Sequence, residues 1–259
     1  MREGKFGEIK RALRKNESAI LRHSDYEGDW FIYDSSLENF TRDFRYVLPE
    51  DFYKKLLQEN EEIRIREIFR RYIEETLSKS GEQQSDLFAV EFGGPGSEFF
   101  QGFSKNFFKK TAGVCLKDIR SKDIKFNDAR NNHSVITGNI LDLQSDQLFN
   151  KITQTLGIEK VDLIISRMDG PLSFFDKNGA ILDSIIRNWY NFLNKNGLMF
   201  IKFERTLESD TRFLVEKWSG VIKKRFPKVD IQTGNYVLRL HKGTDAPEEL
   251  PPATQLFRE

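Results

Sequence analysis

The chain has 259 residues, of which 38% are hydrophobic and 31% charged, a balance typical of a soluble globular protein with a well-solvated surface. No apolar run approaches the roughly 20 residues that a membrane-spanning helix needs, and residues 1–15 lack the apolar segment of a signal peptide, so the sequence predicts a cytoplasmic protein with no membrane partner. A single cysteine and three scattered histidines exclude an intramolecular disulfide and do not suggest a metal site. The net charge of +1 does not by itself indicate a nucleic-acid partner.

Residues 1–85 form the first predicted unit, an N-terminal helical region. Apolar residues at helical spacing predict helices over 9–21 and 52–77. Between them, the stretch GDWFIYDSSLENF mixes aromatic residues with turn formers. The proline of LPEDF marks the start of the second helix.

From residue 86 onward, short apolar segments alternate with helical stretches. The strand candidates are 87–92, 111–116, 134–137, 161–166, 198–203, 229–231 and 236–240. Helices are predicted over 97–110, 180–193 and 211–226. This alternation predicts a doubly wound, Rossmann-like α/β unit over residues 86–243, with a parallel sheet covered on both faces. Residues 244–259, rich in proline and acids, are predicted to be a flexible tail.

The segment VEFGGPG follows the first predicted strand and opens the first predicted helix of this unit. Glycines there allow positive φ and close approach of a ligand to the backbone, and the helix start offers unpaired N–H groups. The segment matches neither the dinucleotide fingerprint, which needs a third glycine in register, nor the P-loop, which needs a following G-K-[ST]. Glu91 at the strand end would repel phosphates, so it suits a cationic ligand such as a sulfonium or an amino group.

At these residues the chain resembles the class I S-adenosylmethionine-dependent methyltransferases. Later segments resemble further motifs of that family in the same order, namely GVCLKD, TGNILD, VDLIISRMDGP, NKNGLMFIKF and VDIQTGNYVLRLHKG. The resemblance covers residues 86 to about 242. It implies a seven-stranded methyltransferase sheet closed by a hairpin, and S-adenosylmethionine as the cofactor.

The same resemblance implies which residues hold the cofactor. The implied cofactor-binding residues are Glu91, Gly93, Gly94, Gly96, Asp118 and Asp142. In that family, an acid near the end of the second strand binds the ribose, which implies Asp118, while Asp142 would contact the adenine. Cys115 and Asn139 stand where two acids are usual.

One branch of the family, the FtsJ-like and cap 2′-O-ribose methyltransferases, uses a Lys-Asp-Lys-Glu tetrad. Asp169 in SRMDGP and Lys202 in LMFIKF resemble its aspartate and second lysine. Arg70 in RIREIFRR stands at the place of the first lysine, and Gly234 and Asn235 stand where the glutamate is expected. The resemblance implies that Lys202 is the base, that Asp169 orients it, and that Arg70 is a fixed donor to substrate oxygens.

Three functions remain open from the sequence. The first is methylation of RNA ribose, favoured by the partial tetrad and by two basic stretches, residues 1–15 and 105–125, which either contact phosphates or form solvated surface. The second is methylation of a small molecule or a protein, favoured by the near-neutral charge and the missing glutamate. The third is an inactive methyltransferase-like scaffold. Neither the methyl acceptor nor the oligomeric state is indicated.

Overall fold

The computed structural model describes residues 37–78, 86–115, 118, 120–138, 140, 146–167, 180–202, 209–234 and 237–251. Within residues 37–78, three α-helices precede the sheet: α1 (Leu37–Phe44), which continues into a short 3-10 helix (Arg45–Val47), α2 (Glu50–Glu59) and α3 (Ile65–Ser78). The predicted helix over 9–21 lies outside the described residues. The helix predicted over 52–77 is two helices, because Asn60 leaves the helical conformation and its side-chain oxygen accepts a hydrogen bond from the Glu62 N–H at 3.0 Å.

Seven strands form one sheet. They are β1 (Phe88–Phe92), β2 (Lys110–Cys115), β3 (His133–Thr137), β4 (Val161–Arg167), β5 (Leu193–Lys202), β6 (Val229–Thr233) and β7 (Val237–Lys242). Their order is β3-β2-β1-β4-β5-β7-β6. Strands β1 to β5 run parallel, and β7 runs antiparallel to both β5 and β6. The predicted fold class is therefore confirmed. In such sheets, ligands bind where the strand order reverses, here at the carboxyl ends of β1 and β4.

In the described parts of the connections between strands, five helices occur: α4 (Ser97–Phe100), α5 (Lys122–Arg130), α6 (Asp146–Leu156), α7 (Ala180–Phe192) and α8 (Ser209–Arg225). Helices α6, α7 and α8 cover one face of the sheet in a continuous apolar core. The opposite face is covered by the helices of residues 37–78, whose Phe69 ring lies 4.7 Å from that of Phe200 in β5. The N-terminal helical region thus shares a core with the sheet.

The connection between β1 and β2 differs from the helix predicted over 97–110. Only α4 is helical, and the chain then passes through turns in which Asn106 has a φ of 62°. Several phenylalanines follow α4 and contact one another edge-to-face, as Phe103 and Phe108 do with ring centroids 5.1 Å apart. Packing of these rings holds the segment together with turn hydrogen bonds, in which the Phe103 N–H donates to the Phe100 carbonyl and the Phe107 N–H to the Ser104 carbonyl.

The first half of the predicted flexible tail packs on the sheet unit instead. Ala246 and Leu250 are buried in the core beneath α7, and the Tyr190 hydroxyl donates to the Pro247 carbonyl at 2.6 Å. Apolar burial and this hydrogen bond hold residues 244–251, and the prediction did not foresee them because both contacts are made to distant parts of the chain. Residues 252–259 lie outside the described part. None of the helices in the described ranges is long and apolar enough to cross a membrane.

Candidate active site

The glycine turn after β1 has a backbone conformation that only glycine adopts without strain. Gly93 and Gly96 have φ values of 90° and 73°, in the left-handed region that side chains disfavour. The Gly93 N–H donates to the Val114 carbonyl at 2.9 Å, so the turn bends toward β2. There it lies directly on Gly113, where an added Cβ would stand 2.1 Å from the Pro95 oxygen. The sequence reasoning missed Gly113, although a glycine inside an apolar strand signals close backbone approach.

A buried histidine fastens this turn to the sheet. His133, at the start of β3, has Nε2 at 2.6 Å from the Pro95 carbonyl oxygen and Nδ1 at 2.7 Å from the Thr111 hydroxyl. Because a carbonyl oxygen can only accept, we assign the proton to Nε2, and Nδ1 then accepts from Thr111. Burial lowers the pKa of His133 below its ordinary value, which favours this neutral form.

Glu91 lies under the turn. It is 0% exposed, and its register partners are Gly113 in β2 and Ile165 in β4. Ile165 belongs to the core under the N-terminal helices, so Glu91 points to that same face. A buried carboxylate beside a tight glycine turn is a favourable place for a cationic group. Glu91 and the turn therefore fit the positively charged methionine end of S-adenosylmethionine.

Asp118, the implied ribose ligand, is held by an arginine in this structure. Arg120 Nε and Nη2 donate to the two oxygens of Asp118 at 2.9 and 3.0 Å, and Arg120 Nη1 donates to Asp128 at 2.6 Å. The side-chain hydrogen bonding of Arg120 to Asp118 is the main cause that lowers the pKa of Asp118 to about 2. Asp128 also accepts from the Ser97 hydroxyl at 2.6 Å, so the network ties the segment after β2 to the start of α4. The role of Asp118 at the ribose stays a prediction.

Lys202 ends β5 and is almost completely enclosed. Its side chain is 9% exposed, and Nζ lies 3.2 Å from Oδ2 of Asp43 in α1. The carboxylate beside the predicted base therefore comes from the N-terminal helical region. Asp169, the predicted partner, and Asp142 both lie outside the described residues. Nothing in the sequence pointed to Asp43, because the contact joins two segments far apart along the chain.

Arg70, the third predicted catalytic residue, lies on α3 against the segment after α4. Its guanidinium carbon is 6.0 Å from the centroid of the Phe103 ring, and a side chain at position 102 would collide with the guanidinium. Within the described part of the chain, no contact joins Arg70 to Lys202, so their joint role also stays a prediction. Gly234 stands where the tetrad glutamate is expected, and its N–H donates to the Val237 carbonyl at 2.8 Å across the turn after β6.

Two predicted site residues, Glu91 and Lys202, lie on the face of the sheet under the N-terminal helices. Lys202 lies two residues beyond Phe200 on β5, and Phe200 is the register partner of Ile165, which in turn is the partner of Glu91. Two strand spacings across the sheet and two residues along it place the Cα atoms of Glu91 and Lys202 about 12 Å apart. A ligand at the carboxyl end of β4 would lie between them.

No protein-family model matches this sequence, and no curated protein does. Among solved structures, the chain is similar to the MycE methyltransferase of the mycinamycin biosynthetic pathway in complex with Mg and SAH, with 14% identity and a TM-score of 0.42 over 70% of this chain and 48% of that one. The chain thus spans about half the length of MycE. It is similar to the N-methyltransferase NodS from Bradyrhizobium japonicum, with 14% identity and a TM-score of 0.38 over 67% and 96% of the two chains. An rRNA methylase from Streptococcus thermophilus has 14% identity and a TM-score of 0.40 over 66% and 93%. Because these values are low, the fold assignment rests on the strand order and registers described above.

Proposed function

We propose that this chain is an S-adenosylmethionine-dependent methyltransferase that methylates a ribose 2′-hydroxyl of RNA, with Lys202 as the base. The observation that carries the proposal is the position of Lys202. It is a buried lysine at the carboxyl end of β5, on the same face of the sheet as Glu91 and one strand beyond the switch point between β1 and β4. A nucleophile and a cofactor that meet at the carboxyl ends of β1 and β4 would both lie within reach of Lys202.

The residues around the turn support the choice of cofactor. The left-handed glycines Gly93 and Gly96 and the buried carboxylate of Glu91 would hold its methionine end. The ribose hydroxyls of the cofactor would have to donate to an oxygen of Asp118 that also accepts a hydrogen bond from Arg120. When bound, S-adenosylmethionine supplies a methyl group on a positively charged sulfur, which leaves as a neutral thioether.

Lys202 would supply the acid–base chemistry. Nζ would take the proton of the 2′-hydroxyl, and the ribose oxygen that loses this proton would be the nucleophile toward the methyl group that the cofactor supplies. The ammonium formed on Lys202 would then face the carboxylate of Asp43, whose Oδ2 is 3.2 Å from Nζ. Asp43 would thus orient the amine and stabilise its charged form after transfer, as the carboxylate of a Ser-His-Asp triad does for its imidazolium.

The test has two stages. Calorimetry with S-adenosylmethionine and S-adenosylhomocysteine measures cofactor binding, and a methyl-transfer assay on RNA, followed by nucleoside mass spectrometry, identifies the methylated atom. We expect binding of both compounds and a 2′-O-methylnucleoside that disappears in Lys202→Ala but not in Lys224→Ala, which removes an exposed lysine of α8. A methyl group found only on a base, a protein or a metabolite would contradict the proposal.

A second candidate, a methyltransferase-like fold without activity, is favoured by two observations. Arg120 engages both oxygens of Asp118, and Cys115 occupies the position where the family usually has the ribose-binding acid. This candidate predicts no heat of binding at millimolar S-adenosylmethionine. The first stage of the test therefore separates the two.

A further inference from the structure

We propose that a pocket between α3 and the segment after α4 binds a phosphate group of the RNA substrate; the identity of that substrate rests on the function proposed above. The pocket has a volume of about 400 Å³ and opens to solvent. Four arginines line it together with one aromatic ring: Arg64, Arg66, Arg70, Arg71 and Phe103. A volume of this size is within the range of small-molecule sites and suits a nucleotide unit.

The acids in the pocket are already engaged. Glu67 accepts a hydrogen bond from Arg71 at 2.8 Å, and Glu74 accepts one from the Ser104 N–H at 2.9 Å. Across the ranges that the structure describes, the other three arginines form no ion pair. Glu67 and Glu74 keep their negative charges when they accept hydrogen bonds, so these two acids leave the pocket a net charge of +2 from its four arginine charges.

Two of these charges stand on consecutive turns of the same helix. Arg66 and Arg70 are four residues apart on α3, where like charges repel each other. Burial and then the charge of Arg66 lower the pKa of Arg70, whose Nε is buried with no hydrogen-bond acceptor among the described residues. An anion placed between the two guanidinium groups would remove the repulsion and supply the missing acceptor.

The chemistry of the pocket favours an oxyanion such as phosphate over a halide. Guanidinium groups present rigid pairs of N–H donors that match the oxygens of a phosphate, and Arg70 is held in one place by packing on Phe103. The pocket also lies on the same face as Lys202, because Phe69, the neighbour of Arg70, packs on Phe200 two residues before Lys202. A strand bound at Lys202 could thus extend its backbone toward this pocket.

The experiment measures binding of a fluorescein-labelled single-stranded RNA 10-mer to the full chain as a function of salt, with a mononucleotide and inorganic phosphate as competitors. We expect Arg66→Gln to weaken RNA binding by about tenfold, the loss of one charge-assisted hydrogen bond. The plot of log affinity against log salt should become shallower by roughly 0.7 for that single charge. Lys224→Gln removes the same charge from α8, on the other face of the sheet, and should change neither quantity.

Arg70→Lys tests whether the planar pair of guanidinium donors is needed, since it keeps the positive charge and loses that pair. We expect a weaker complex with RNA and an unchanged salt slope.

The competitors show whether the bound phosphate belongs to RNA or is a free anion. Displacement of the RNA by inorganic phosphate at low millimolar concentration would show a free-anion site and overturn the RNA assignment.

The two proposals fail in different ways. If Arg66→Gln and Lys224→Gln weaken RNA binding equally, or neither does, the pocket is not a phosphate site, whatever the chain methylates. If the wild type binds RNA through Arg66 but does not bind S-adenosylmethionine, the phosphate site is supported and the proposed catalytic function is contradicted. Melting temperatures of all variants, measured in parallel, separate loss of binding from loss of the fold.

Discussion

Gly113→Ala tests whether the glycine turn has to lie on β2. The added Cβ would stand 2.1 Å from the Pro95 oxygen and 2.2 Å from its carbonyl carbon. Both atoms belong to the backbone, so no side-chain rotation can relieve the clash. The turn must then move by about 1 Å to reach an ordinary contact distance of roughly 3.2–3.5 Å.

The cost of that movement has two parts. Overpacking of a tight backbone contact costs about 1–3 kcal/mol. Movement of the Pro95 carbonyl also weakens its 2.6 Å hydrogen bond with His133, and a buried polar group without its partner costs about 1–3 kcal/mol more. We therefore expect Gly113→Ala to lower the free energy of unfolding by about 2–6 kcal/mol and to abolish the heat of S-adenosylmethionine binding.

The chain offers a matched control. Gly220 in α8 has nothing within 4 Å of an added Cβ, so Gly220→Ala should stabilise the protein by about 0.5–1 kcal/mol through the better helix propensity of alanine. Urea denaturation and calorimetry on both variants decide the matter. If Gly113→Ala unfolds and binds cofactor like the wild type, the turn is not held against β2 as the structure has it.

Three other changes have defined outcomes. Lys202→Ala should lower turnover by about 10²-fold or more with cofactor affinity unchanged, because a base acts in proton removal and not in binding; equal turnover in the variant and the wild type would remove Lys202 from the mechanism. Arg239→Met should lower the free energy of unfolding by about 2–5 kcal/mol, since it leaves two buried acceptors without a donor, and a urea midpoint like that of the wild type would contradict this. Burial lowers the pKa of His133 below its ordinary value of 6.5, so its stabilising contribution is complete above that pH and is lost as the pH falls through it. As the pH is lowered from 8 to about 5, the urea midpoint should fall less steeply for His133→Gln than for the wild type. Part of the fall should remain in the variant, because burial also lowers the pKa of His241. An unchanged slope of midpoint against pH would exclude His133 as the source.

The sheet could be predicted from the sequence because its central strands, such as β1 and β4, are buried on both faces. Such strands appear as short, nearly continuous apolar runs, as in VDLIIS, and all seven candidates are strands in the structure. Helix α5 could not be predicted in the same way. Its residues are mostly exposed, with Ile124 and Phe126 turned to solvent, so it carries no apolar stripe at helical spacing.

The candidate site was predictable where it depends on local sequence. Glu91 and the glycines of the turn lie within one short segment, and their residue types already indicate a strand end followed by a tight turn. The partners of the site were not predictable, because His133 meets Pro95 and Asp43 meets Lys202 only after distant segments pack together. Contacts of this kind leave no periodic signal in the chain.

The N-terminal helices are part of the same folding unit as the sheet, although the change of sequence pattern near residue 85 separates the two. Arg239 in β7 is 2% exposed and forms an ion pair with Asp230 of β6 at 2.7 Å. It also donates to the Val47 carbonyl and the Tyr72 hydroxyl, both at 2.7 Å, so its hydrogen bonding depends in part on groups from before residue 85. Phe200 depends on them as well, since its ring is covered by those of Phe44, Phe69 and Tyr72. Lys202 lies two residues from Phe200 on the same face, and its carboxylate partner is Asp43. The helices that complete the core of the sheet therefore also complete the surroundings of the proposed base, and a change that loosens them should weaken stability and catalysis together.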